Sequence, residues 1–270
     1  MNATRYKIAG ALVAVVLLGA IGIWYQFFRD DAPPPASLEA AVSALVPTAA
    51  TTEAAATSTT AASEPTSDSS AAIVTATTEP ADSQPTEGSA NDGLSGEWTV
   101  AAQQDAFVGY RIGEELASVG TTEAVGRTSD VTGSLTIDGS SLTAASISVD
   151  MTTLESDESR RDRALGDQAL ETRTYPEATF VLTQSVELPA GLANGESASV
   201  VATGTLTLHG VEQAVQIPME AQLSGGTLVV VGSLDITLAE YGISKPQAPA
   251  VVSVEDHGTL ELQLYFERAA

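Results

Sequence analysis

Cysteine is absent from the 270 residues, so disulfides and thiolate chemistry are excluded. A domain of ordinary size needs no covalent staple, so this absence fixes no compartment. Histidine is nearly absent too, with only His209 and His257. An acid–base or nucleophilic centre wants a histidine beside a carboxylate and a hydroxyl, and a zinc site wants paired His or Cys ligands. His257 follows Glu255-Asp256 in a turn-like Asp-His-Gly setting that reads as a solvated loop. His209 ends an alternating strand, where a structural hydrogen bond competes with a place at a cavity mouth. The expectation is therefore no catalytic step, no metal and no cofactor. Basic residues are scarce: 11 Lys+Arg stand against 35 Asp+Glu, a formal net charge of -24. Such a surface repels phosphate backbones, which argues against nucleic acid as a partner.

What is present is divided sharply along the chain. Ile8 to Phe28 carries no charge, and 21 residues at a rise of 1.5 Å span roughly 30 Å, the hydrocarbon thickness of a bilayer. Arg5 and Lys7 precede the run, whereas Arg29 is offset by Asp30 and Asp31, so the N-terminus is expected to stay in the cytoplasm. Trp24, Tyr25, Phe27 and Phe28 fall where the helix would meet the outer headgroups. The length, the aromatic belt and the lack of a clean small-x-small cleavage site favour a retained anchor over a cleaved signal peptide. Residues 1–29 are thus read as a single-pass anchor, touching the membrane through residues 8–28.

Pro33 to Asn91 is nearly all Ala, Ser, Thr, Pro, Glu and Asp. It has too few large apolar side chains to offset the entropy of ordering. Residues 30–94 are read as a disordered spacer, with a mean reach of roughly 40 to 50 Å. Residues 95–270 form the one part able to build a core, and there eight basic residues meet 25 acidic ones, a charge near -17.

In that part the apolar period is two. Leu260, Leu262, Leu264 and Phe266 alternate with Glu261, Gln263, Tyr265 and Glu267, giving one apolar and one wet face. Ser134 to Ile137, Ser146 to Val149 and Thr205 to Leu208 repeat the pattern, separated by turn signals at Asp138-Gly139, Asn194-Gly195 and Gly225-Gly226. An antiparallel meander with one apolar face must close or pair with a second sheet. One short helix is expected from Ser159, with Asp162 three residues on as a capping-box-like partner, and Ala164, Leu165, Ala169 and Leu170 as its stripe before Pro176.

Two stretches carry more specific information: Ser159-Arg160-Arg161-Asp162-Arg163-Ala164-Leu165, running on to Tyr175-Pro176-Glu177-Ala178-Thr179-Phe180, and Gly204-Thr205-Leu206-Thr207-Leu208-His209-Gly210-Val211. Their order and spacing resemble the YceI-like family of bacterial polyisoprenoid-binding proteins, over about Trp98 to Arg268. The sequence departs from the family pattern at Ala164, where a His is common, and at Leu170-Glu171, which replaces a Phe-Phe pair. The resemblance implies an all-β fold, an extended lipocalin-like antiparallel barrel of about eight strands with a helical insertion beside a long apolar cavity.

On that reading the inward residues are also the ligand-lining ones. They are Val108, Tyr110 and Ile112; Leu135 and Ile137; Ile147 and Val149; Leu165; Phe180 and Leu182; Leu206, Leu208 and His209; Leu234, Ile236 and Tyr241; and Leu262, Leu264 and Phe266. Arg160, Arg161 and Arg163 are the one basic cluster. They either meet the polar head of an amphiphile or pair with acids such as Glu158 and Asp167 on the helix surface. The expected function is extracytoplasmic binding, storage or transport of an isoprenoid lipid, isoprenoid quinone or similar long amphiphile. The alternative is a stalked protein-interaction module whose barrel is filled by its own side chains.

Overall fold

Period-two alternation becomes strand along most of the chain after Gly96. The computed structural model describes residues 32–45, 92–103, 105–117, 120–246 and 251–269. The anchor expected over 1–29 and the spacer stretch 46–91 lie outside the described residues. Among the described residues no helix is long and apolar enough to cross a membrane.

The chain runs through helix α1 (Leu38–Leu45) and strands β1 (Gly96–Val100), β2 (Phe107–Leu116), β3 (Gly120–Thr128), β4 (Val131–Asp138), β5 (Ser141–Asp150) and β6 (Glu155–Ser156). Helix α2 (Ser159–Ala164) follows, then β7 (Glu177–Leu182), β8 (Val186–Glu187), β9 (Ala198–Leu208), β10 (Val211–Ser224), β11 (Thr227–Thr237), β12 (Val251–Val254) and β13 (His257–Arg268). Eight strands close in the order β1-β4-β5-β7-β9-β10-β11-β13, because β1 returns to β13 with Trp98 opposite Arg268 and Val100 opposite Phe266. Closure removes the unpaired edges that an open sheet would expose. The first half of β13 pairs with β2 instead, Thr259 opposite Arg111 and Gln263 opposite Phe107, so β2, β3 and β6 extend the wall at one end.

Local chemistry sets the turns. Gly225 and Gly226, at φ of 58° and 91°, form the two-residue hairpin between β10 and β11, which needs left-handed backbone at both positions. His209 and Gly210 do the same between β9 and β10, with His209 at φ 52°. Gly204 matters for its missing side chain: a Cβ there would lie 2.4 Å from the Phe180 ring, so its absence lets that ring lie across the inner wall.

The helical insertion forms where expected, with different capping. Glu158, one residue before Ser159, is the N-cap and accepts from the Arg160 amide at 3.1 Å. Asp162 reaches back to the Ser156 amide at 2.9 Å, tying α2 to β6. Leu165–Ala169 continues as one π-helical turn, and this presents Ala169 and Leu170 to the barrel, where both are buried.

The spacer reading fails for its first part. Residues 33–45 lie against the outer wall, with Leu38 and Ala41 buried on Val229, Val231 and Tyr265. Eight residues are too few for a helix to persist alone in water, so docking stabilises α1. Leu38, Ala41, Val42 and Leu45 provide the apolar stripe at helical spacing. The outer face of β13 is correspondingly not wet: Glu261 is 4% exposed and Gln263 7%. Glu261 is paired there with Arg111 at 2.9 Å and Arg127 at 3.3 Å, and Gln263 donates to the Asp105 carbonyl at 2.7 Å.

Candidate binding cavity

Inward side chains from the barrel strands leave a continuous apolar cavity. It offers about 250 Å³ to the centres of water molecules, where one water needs roughly 10 to 15 Å³. The self-filled interior of the alternative reading is not what the structure has. Medium-sized side chains explain this: Val108, Val149, Val200, Ala145, Ala178 and Ala202 are among the lining residues, and small lining side chains leave room in a barrel that bulkier ones would fill.

One end is sealed. Leu94 is 0% exposed, and Trp98 and Leu192 are each 1% exposed. The Trp98 indole N–H donates to the Leu94 carbonyl at 2.8 Å, and the Arg268 guanidinium lies 4.8 Å over its ring. At the opposite end the lining comes from Arg161 of α2, the π-turn, loops and the end of β12, through Leu154, Leu165, Ile243, Pro246 and Val254. Most of these remain partly exposed. This α2 end is the mouth.

The sequence-expected lining residues fall on the cavity with few exceptions. Val108, Tyr110, Ile112, Leu135, Ile137, Ile147, Val149, Leu165, Phe180 and Leu182 line it. So do Leu206, Leu208, Leu234, Ile236, Leu262, Leu264 and Phe266. His209 does not. Its positive φ turns the side chain out of the strand alternation; Nδ1 bonds the Tyr241 carbonyl at 3.0 Å and the ring meets Tyr175 edge-on at 4.4 Å. Tyr241 is 2% exposed but packs behind the lining wall, on the short 3₁₀ turn Leu238–Tyr241 that His209 pins. The two residues therefore position the mouth without facing it.

The arginine cluster separates in the same way. Successive helical residues point about 100° apart, and only Arg161 turns inward to the cavity. Its Nη2 bonds Glu114 at 2.6 Å, and its Nη1 pairs with Asp157. Arg160 and Arg163 are exposed on the helix surface and are not cavity residues. Arg161 therefore pairs with acids, but with buried Glu114 of β2 and with Asp157, not with Glu158 and Asp167 on the helix surface. Tyr110 lies beside this pair, its ring filling the space over Gly126. Burial pushes its hydroxyl well above the ordinary tyrosine range, against the opposing pull of Arg161. His257 is 66% exposed and sits between Glu255 and Asp256; the hydrogen bond its Nδ1–H donates to the Asp256 carboxylate raises its pKa, with Glu255 adding to it.

Sequence reasoning missed a second group of lining residues. Leu188 and Leu192 come from the loop after β8, Met219 from β10, and Leu238 and Ile243 from the turn that follows β11. Met219 carried an alternation signal, in a 14-residue strand whose Pro218 disguises it, and so did Val200, Ile217, Val230 and Leu260, lining residues on strands that the expected set also omitted.

A closed antiparallel barrel around an apolar, one-ended cavity defines the class: a small-barrel binding fold. The family is narrower. The YceI-like domain matches residues 98–266, and this chain belongs to that family. An UPF0312 protein of Pseudomonas aeruginosa strain LESB58 is 33% identical over 164 residues, covering 56% of this chain and 78% of its own length. A relative from Pseudomonas paraeruginosa is 32% identical over 162 residues, with the same coverage. Among solved structures, a polyisoprenoid-binding domain from Saccharophagus degradans, implicated in plant cell wall breakdown, matches with a TM-score of 0.50. It is 22% identical and covers 64% of this chain and 98% of its own. That likeness supports the fold.

Proposed function

We propose that this chain is a membrane-anchored, extracytoplasmic carrier that binds a long apolar chain, an isoprenoid lipid, isoprenoid quinone or similar amphiphile, for storage, transport or sequestration. The carrying observation is the apolar cavity, sealed at the Trp98 end and open at α2. Binding draws on exclusion of water along the chain, about 0.8 kcal/mol per buried CH₂ before ordering costs. The Saccharophagus degradans domain, described as polyisoprenoid-binding, supports this choice of ligand class. No chemical step is part of the proposal: His209 is engaged with the Tyr241 carbonyl, and His257 is exposed and outside the cavity lining.

The test is ligand content. Organic extraction of the purified full chain should release a long-chain isoprenoid, identified by mass spectrometry. Val149→Trp and Leu208→Trp, each placing an indole in the cavity, should lower ligand retention at least about tenfold while costing roughly 1 to 3 kcal/mol of stability. Val201, 51% exposed on the outer wall, provides the control: Val201→Trp should leave retention unchanged. Equal retention by inward and outward variants with cooperative melting would reject a tunnel ligand.

A further inference from the structure

The docked segment 33–45 changes where the barrel sits. A spacer running freely from residue 29 to residue 94 would hold it a mean of roughly 40 to 50 Å from the bilayer. The barrel, with eight basic and 25 acidic residues, gains nothing from anionic headgroups that would draw it closer. Yet the chain touches the barrel wall already at Pro33. Arg111 Nη2 donates to the Pro33 carbonyl at 2.7 Å, and Arg127 Nη2 to the Pro34 carbonyl at 2.6 Å. Glu261 and Glu123 hold both guanidiniums in place. Further along, Leu38 and Ala41 are buried, and the Tyr265 hydroxyl donates to the Ala41 carbonyl at 3.2 Å.

The direction of this strap is defined by its partners. Arg111 stands opposite Thr259 in the β2–β13 ladder, and Tyr265 lies six residues further toward the sealed end. The strap therefore enters near the mouth half and runs away from it. From Phe28, the last residue of the uncharged run, to Pro33 is five peptide steps, at most about 18 Å. From the level of Arg111 to the rim at Leu116 is about 17 Å, and to Arg268 at the sealed end about 30 Å. The five steps reach the mouth rim and fall short of the sealed end.

We propose that residues 33–45 are a clamp that holds the barrel mouth-down against the bilayer, so that the α2 end is a lipid-facing docking surface. This rests on the membrane-anchored reading above. The partner is the bilayer surface itself, and the cavity opens toward the phase in which a long isoprenoid dissolves. The strap, and not the length of residues 46–91, then sets the barrel's height.

The absence of cysteine makes the test direct. Arg173, 89% exposed at the mouth end, and Thr143, exposed near the sealed end, are replaced one at a time, Arg173→Cys and Thr143→Cys. Each is labelled with a donor fluorophore in the full chain, reconstituted in phosphatidylcholine vesicles carrying an acceptor on the headgroups. Transfer from position 173 should exceed that from position 143 at least about threefold, the seven strand steps from Thr143 to Asp150, which pairs with Glu177 beside the Arg173 loop, separating them by about 23 Å. Ala41→Asp, or Leu38→Asp should the first variant lose cooperative melting, should abolish the difference. Equal transfer from the two positions in a chain that resists carbonate extraction overturns the clamp and leaves the anchor standing. A chain that carbonate extracts overturns the anchor reading, and the clamp falls with it.

Discussion

His209 shows how one residue can look like a site and be a support. A histidine after an alternating strand invites a place at the cavity mouth, yet its backbone sits at φ 52° and its ring is held between the Tyr241 carbonyl and Tyr175. The left-handed conformation costs a non-glycine residue roughly 1 kcal/mol or more, and the hydrogen bond and ring contact offset that cost. His209→Gly removes both contacts and the strain together. Thermal melts should show a net loss of about 1 kcal/mol or less, with isoprenoid retention unchanged. A loss of retention at unchanged stability would return His209 to the ligand. The inward residues, by contrast, were legible because strand alternation assigns a side chain to one face without knowledge of tertiary structure. Val108, Ile147, Leu206 and Leu262 needed nothing more. Leu188, Leu192 and Ile243 reach the cavity from loops and turns, where no period applies.

Among the elements, α2 was legible in position and not in orientation. Its start and its arginines are in the sequence, whereas its stop was expected at Pro176 and comes instead at Leu170, with Glu171 at φ 45°. Which arginine faces the cavity depends on the rotation of a single helical turn and on Glu114, 47 residues away in β2. The consequence is a sharp contrast between neighbours. Glu114 is 6% exposed, and Arg161→Ala would leave it buried without a counter-charge. Breaking such a pair costs about 3 to 5 kcal/mol, less whatever water reaches the arginine side. Arg163→Ala, on the exposed face, should change the melting free energy by less than about 0.5 kcal/mol. Chemical denaturation of the two variants separates these readings. Similar small losses would mean that Arg161 is free to serve a headgroup instead. Helix α1 was illegible for a related reason. Its stripe is short and set among Ala, Ser and Pro, and its partner surface on Val229, Val231 and Tyr265 looked like ordinary outward strand positions.

At the scale of the whole chain, the proposed anchor and strap act together with charge. The formal charge of -24 is concentrated after the uncharged run, while Arg5 and Lys7 precede it. On the proposed membrane-anchored reading, the asymmetry of flanking cations retains the basic end and translocates the acidic side. Protease added to cells whose outer layers have been opened should therefore cut between residues 46 and 91 and yield a fragment containing Trp98 to Arg268. While the chain is whole, strap and barrel are joined and docking is intramolecular. One cut turns it into a contact between separate chains and removes that effective concentration, commonly in the millimolar range. The fragment should then leave the membrane, at once in Ala41→Asp and more slowly in the parent chain, because only the parent must first release Leu38 and Ala41 from the barrel wall. Supernatant and membrane fractions sampled over time, with mass spectrometry of the fragment's first residue, measure both features. A fragment protected until the inner membrane is permeabilised would invert the topology; identical release rates would mean that the strap contributes no hold on the barrel.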